Sequence, residues 1–159
     1  AGDVKSFKLE DLFSAAFLSG SFDHIPKNER LESLKNVNRH LRIGGRLVFD
    51  IYIGGMKDSP LSLIDTIKKG DYVYQRSIGT KTLPNDTIDV LLVYEIYKEG
   101  KLIEKIEQPS TAVITTREEV HNLLENAGFS IKKEYRDYDF SPYTKQSPLL
   151  IVEAEKVGN

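Results

Sequence analysis

The sequence contains no cysteine, which removes disulfides, thiolate catalysis and cysteine-ligated zinc or iron–sulfur centres together. Histidine is scarce: His24, His40 and His121 are the three present. They are too scattered for a histidine-based metal site, and no metal is expected. No window approaches the ~18 consecutive apolar residues of a membrane span, and the first residues lack a signal peptide's basic and apolar regions. A soluble cytoplasmic protein with no membrane partner is the expectation. Charge is not concentrated either. Lys and Arg number 22 against 24 Asp and Glu, a net −2, without a run of one sign or a basic stripe interleaved with aromatics. Nucleic acid is therefore not the expected partner.

What is present suits one domain. A chain of 159 residues that is 40% hydrophobic can bury roughly 70% of its unfolded surface as a single unit, 1–159. Leu31, Leu34, Val37 and Leu41 recur at helical spacing, with Asn28 as the expected N-cap, Pro26 just ahead of it and Glu29 in the first turn. Gly44 and Gly45 can then adopt φ > 0 and reverse the chain into an apolar strand through Leu47, Val48, Phe49 and Ile51. Upstream, 12–18 is a short apolar run followed by Ser19, Gly20 and Ser21, and reads as the preceding strand. Strand, helix and strand in this order predict two parallel strands joined by a right-handed crossover. The loops at their carboxyl ends, 19–26 and 52–60, face the usual ligand side.

Beyond Tyr52, residues 54–60 are rich in breakers, and Leu61, Leu63, Ile64 and Ile67 suggest a short helix. From Tyr72 the period becomes two. The stretches through Tyr72 and Tyr74, Ile88 to Ile96, and Leu102 to Ile106 read as three antiparallel strands, with turns near 84–86 and 99–100. A further strand at 112–115 completes a meander, 72–115, inserted in the fold. Thr116 and Glu119 form a capping box that starts a helix with an apolar stripe at Val120, Leu123, Leu124 and Ala127, and Gly128 is its αL terminator. Two final strands follow, 129–138 and 149–155, separated by the loop 141–148.

These residues, in this order and spacing, resemble the carboxyl-terminal portion of the class I S-adenosylmethionine-dependent methyltransferases. FSAAFLSGSFDHI at 13–25 looks like the family's fourth strand and loop, RHLRIGGRLVFDIY at 39–52 like the fifth helix-to-strand passage, and EEVHNLLENAGF at 118–129 like the last helix. The resemblance implies an α/β, Rossmann-like fold, incomplete at the amino terminus, with the meander as an insertion. It also implies S-adenosylmethionine as cofactor and a small-molecule acceptor. The departure is equally clear. The family's glycine-rich loop after its first strand has no counterpart, because no G-x-G occurs among the eleven glycines.

Residue by residue, the resemblance gives Asp3 and Val4 the adenine end of the cofactor, and Leu18, Ser19 and Gly20 the surroundings of its methionine end. His24, on the ligand-side loop beside Asp23, is the candidate base, its ordinary pKa lying near neutrality. Asp23, Tyr52 and Tyr143 are candidates for acceptor binding, with Tyr138 and the loop 141–148 able to close over an acceptor. Asp50 is equally readable as a partner of neighbouring backbone, and His40 and His121 as surface residues of their helices. The meander implies a homodimer contact. Three accounts of the absent glycine loop are open: a fragment of a longer methyltransferase, completion by another polypeptide or copy, or a standalone dimerisation or ligand-binding module. The first is preferred, since the strand at 12–18 would otherwise leave an apolar edge unpaired.

Overall fold

The computed structural model describes residues 2–53, 57–84 and 86–158. The chain divides into two compact units, 1–54 with 114–159, and 55–113.

The first unit is a four-stranded sheet with two helices. Its strands are β1 (Phe13–Leu18), β2 (Leu41–Tyr52), β7 (Phe129–Tyr135) and β8 (Leu149–Lys156), in the order β1-β2-β8-β7. β1 and β2 are parallel, as the strand–helix–strand pattern predicts, whereas β8 runs antiparallel to both β2 and β7. The period of two sorts β2 cleanly. Leu47, Phe49 and Ile51 are fully buried and stand opposite Ala154, Val152 and Leu150 of β8. Helices α1 (Lys27–Arg39) and α2 (Arg117–Asn126) close over this face with Leu34, Val37, Val120 and Leu124 in one hydrophobic cluster.

Local chemistry accounts for the ends of these elements. Thr116 and Glu119 make the predicted capping box, in which each side chain accepts the other residue's amide. Gly128 ends α2 at φ +82. α1 begins two residues earlier than the sequence suggests: Pro26 occupies the N-cap position and Asn28 is already helical, because proline's fixed φ suits a helix entrance while contributing no side-chain cap. The far end of α1 is finished by Lys156, whose Nζ donates to the carbonyls of Asn38 and Leu41 at 2.8 and 2.9 Å. Gly44 and Gly45 do not reverse the chain. They form a bulge inside β2, since Phe13 pairs with Leu41 but Ala15 already pairs with Arg46.

The second unit is an antiparallel sheet of four strands in sequence order: β3 (Ser59–Lys69), β4 (Tyr72–Leu83), β5 (Thr87–Lys98) and β6 (Lys101–Val113). Two expectations need correction. The segment with Leu61, Leu63, Ile64 and Ile67 is a strand rather than a helix; a bulge between Leu63 and Asp65 breaks its alternation and gives it a helix-like spacing. The strands expected near Leu102 and at 112–115 are one continuous strand, β6, whose place at the sheet edge tolerates Pro109. Gly54, Gly55 and Met56, expected as loop, and Asn85 of the expected turn lie outside the described residues.

Candidate functional site

The carboxyl ends of the parallel pair β1 and β2 bring together side chains that are distant in sequence. Asp50 is a carboxylate within the apolar run Leu47–Ile51 of β2 and is 8% exposed. Burying it requires donors, and three converge on it. The Gly20 amide donates to Oδ1 at 2.6 Å, the Ser19 hydroxyl to Oδ2 at 3.2 Å, and the Tyr138 hydroxyl to Oδ2. Ser19 Oγ and Tyr138 Oη are themselves 3.4 Å apart. The hydrogen bond to Asp50 pushes the Tyr138 hydroxyl above its ordinary pKa. The turn that follows β1 is thereby fixed to the end of β2. Gly20 stands at φ +56, with open space where a Cβ would project.

Asp23 and His24 follow on a short 3₁₀ turn, Phe22–His24, anchored by the fully buried Phe22, whose ring lies 4.7 Å from that of Phe49. Asp23 Oδ2 accepts the Tyr52 amide at 3.4 Å. Burial pushes the Asp23 carboxyl above its ordinary pKa, and Asp50 adds to this, against the Tyr52 amide, Arg30 and His24. His24 is exposed, and its amide donates to the Ser21 carbonyl at 3.2 Å. Tyr52 is half exposed at the last position of β2. Ser19, Gly20, Asp23, His24 and Tyr52 thus share one end of the sheet, where open α/β sheets bind ligands.

The other candidates stand elsewhere. The Asp3 carboxylate folds back on its own segment, accepting the Lys5 amide at 2.8 Å, while Lys5 Nζ reaches Glu29 at 2.7 Å. The Val4 carbonyl accepts from Asn36 Nδ2 at 3.0 Å. Val4 and Leu18 line one apolar hollow of about 260 Å³ beside β1, with Phe7, Phe13 and Phe17. Tyr143 packs against the core of the first unit with the Arg117 guanidinium 5.5 Å from its ring centre, and its amide donates to Glu134.

Four residues do more than the sequence suggests. Asp50, expected at most as a partner of neighbouring backbone, and Tyr138, expected only to close over an acceptor, meet at the site's centre, and the one local signal was an acid within the apolar run Leu47–Ile51. Neither His40 nor His121 is a plain surface residue. His40 Nε2 accepts the Leu9 amide at 3.1 Å while Nδ1 meets the Asn36 carbonyl at 2.7 Å, pinning the first residues to α1. His121 Nε2 lies 2.7 Å from Glu134, which also binds Arg117.

No family model and no curated protein matches the sequence. Solved structures do. An S-adenosylmethionine-dependent methyltransferase from Clostridium acetobutylicum superposes over 99% of this chain and 63% of its own, at 14% identity and a TM-score of 0.76. An amino pentose methyltransferase of calicheamicin biosynthesis from Micromonospora echinaspora does so over 98% and 63%, at 16% identity and 0.77. A sugar N-methyltransferase from a Streptoalloteichus species matches over 99% and 61%, at 19% identity and 0.75. The chain spans less than two thirds of the length of each of these proteins, and within that span it has the fold of the S-adenosylmethionine-dependent methyltransferases.

Proposed function

We propose that this chain is part of an enzyme that transfers the methyl group of S-adenosylmethionine to a small-molecule acceptor at the carboxyl ends of β1 and β2. The observation that carries the reading is the likeness of fold to methyltransferases over nearly the whole chain. The residues present suit one flank of the cofactor. Ser19 and Gly20, with Leu18 just before them, offer a small, open turn held by Asp50 for the methionine end, and Asp3 and Val4 are assigned to its adenine end, Val4 lining the apolar hollow beside β1. The opposite flank needs a glycine loop that this sequence does not contain. We assign it to a preceding half of the enzyme, on the same or another polypeptide, seated against β1, the outer strand of its sheet, where Phe17 is 64% exposed.

When bound, the cofactor supplies a sulfonium methyl open to in-line displacement. His24 accepts the proton released by the acceptor's nitrogen or oxygen as that atom bonds to the methyl carbon. Asp23 and Tyr52 hold the acceptor, and the acidic neighbourhood of Asp23 and Asp50 favours an amine. Positioning supplies most of the acceleration in such a displacement. The sheet 55–113 is an insertion in a single cytoplasmic domain and a homodimer contact. Its outer strands support that role with Leu61, Leu63 and Ile67 exposed on β3, and Leu102 and Ile106 on β6.

Calorimetric titration with S-adenosylhomocysteine tests the reading without knowledge of the acceptor. Saturable binding by the chain, weakened in Asp3→Ala and in Ser19→Ala, is expected. A folded chain that does not bind, alone or joined to a preceding half carrying a glycine loop, would overturn it. Light scattering checks the dimer, and a monomeric mass would remove that part.

A further inference from the structure

Arg30 is 1% exposed, among the most buried side chains of the molecule, yet among the described residues its hydrogen bonds go to two carbonyls and a hydroxyl rather than to a carboxylate. A buried guanidinium needs its donors met. Nε donates to the Ile25 carbonyl at 2.9 Å, Nη2 to the Asp23 carbonyl at 3.5 Å, and Nη1 to Thr115 Oγ1. The two carbonyls are those on either side of His24. The guanidinium carbon also lies 5.2 Å from the centre of the Phe22 ring, beneath the same turn. Thr115 forms a parallel bridge with Ile53, where the chain leaves the first unit and returns to it, and Ile53 donates its amide to the Pro148 carbonyl at 2.8 Å.

We infer that Arg30 is a positioning residue of the site: one planar guanidinium brackets His24 by the flanking carbonyls and ties that turn to the neck at Thr115 and Ile53. The inference rests on the reading of the Asp23–His24 turn as the acceptor side of a methyltransferase site. Only arginine fits the task. Its fork presents several donors in fixed directions, whereas a lysine ammonium is a single point that cannot meet two carbonyls and a hydroxyl spread across it. Arg30 sits in the first turns of α1, so the orientation of His24 is referred to the helix and the neck rather than left to a loop.

Nuclear magnetic resonance on the whole chain tests this without any activity. Arg30→Met and Arg30→Lys are compared with the native chain by amide hydrogen exchange, by the His24 ring signals, and by titration of the Asp23 carboxyl, which Arg30, His24, Asp50 and the Tyr52 amide all face. Both variants should exchange the His24 and Ile25 amides about tenfold faster and shift the Asp23 midpoint, while β2 and β8 keep their protection relative to global stability. Thr115→Val, which removes the hydroxyl that accepts from Nη1 and leaves both carbonyls in place, should give a smaller change at the same residues, and serves where Arg30→Met does not fold. Restoration of native signals by Arg30→Lys, or changes spread evenly through the first unit, would overturn the inference. S-adenosylhomocysteine titration of the same samples separates the two ideas. Unchanged loop signals in a chain that binds would sink the role of Arg30 alone, and loop changes in a chain that never binds would sink the functional reading alone.

Discussion

The Tyr138 hydroxyl donates to the Asp50 carboxylate across 88 positions of sequence, joining the segment after β7 to the end of β2. With the Gly20 amide and the Ser19 hydroxyl it completes the set of donors on a carboxylate that has little water of its own. Asp50→Ala leaves a part-buried amide and two hydroxyls without their acceptor and should cost about 2 kcal/mol. Tyr138→Phe removes one donor that is half exposed and should cost less, about 1 kcal/mol. Urea midpoints at neutral pH give the ordering; equal midpoints for the two variants would contradict it.

Two carboxylates should tilt the pH dependence of stability in opposite directions. Burial pushes the Glu134 carboxyl up, but hydrogen bonds from Arg117 and His121 outweigh it and leave the group below its ordinary 4.5. Its contribution is therefore present above that value and lost as pH falls through the folded-state pKa. Asp23 is the reverse. Burial raises it above its ordinary 3.8, so the native chain holds the proton more tightly and stability declines as pH rises from there through the folded-state value. Glu134→Gln should flatten the acid limb of a stability–pH curve, and Asp23→Asn should make the chain more stable at neutral pH. A neutral-pH loss in Asp23→Asn would refute the second assignment.

The capping box offers a purely local check. Thr116→Ala removes the acceptor of the Glu119 amide and should lower stability by about 1 kcal/mol, whereas Thr116→Ser should retain most of it. Denaturation monitored by circular dichroism distinguishes them.

At the bulge in β2, a Cβ on Gly45 would stand 2.8 Å from the Arg42 carbonyl oxygen, a backbone atom with no easy retreat. Gly44 has open space but sits at φ +75. Gly44→Ala should cost about 1 kcal/mol in left-handed strain, and Gly45→Ala more, because the backbone itself must shift. Thermal midpoints of the two variants test the ranking.

Much of this fold was legible because short-range chemistry specified it. Thr116, Glu119 and Gly128 fixed α2 within a dozen residues, and the apolar spacing of Leu34 and Val37 fixed α1. The segment around Leu61 to Ile67 misled because the register shift between Leu63 and Asp65 converts alternation into a spacing that a helix shares. In the site, Ser19, Gly20, Asp23, His24 and Tyr52 were legible from their place after parallel strands. Asp50 and Arg30 were not. Their roles depend on partners such as Tyr138 and Thr115, 88 and 85 positions away, and no local period encodes such a meeting.

β8 follows every other strand in sequence yet lies between β2 and β7, so neither of those strands has that neighbour until it is made. Tyr52 must wait for Leu149, and the end of α1 must wait for Lys156. Nucleation of the first unit therefore carries the entropy of closing a loop that contains the whole second sheet, a high contact order that slows folding. During synthesis, β1, α1 and β2 emerge before α2, which helps cover their apolar face, and before β8, which pairs with β2, and the nascent chain is exposed to association throughout that interval.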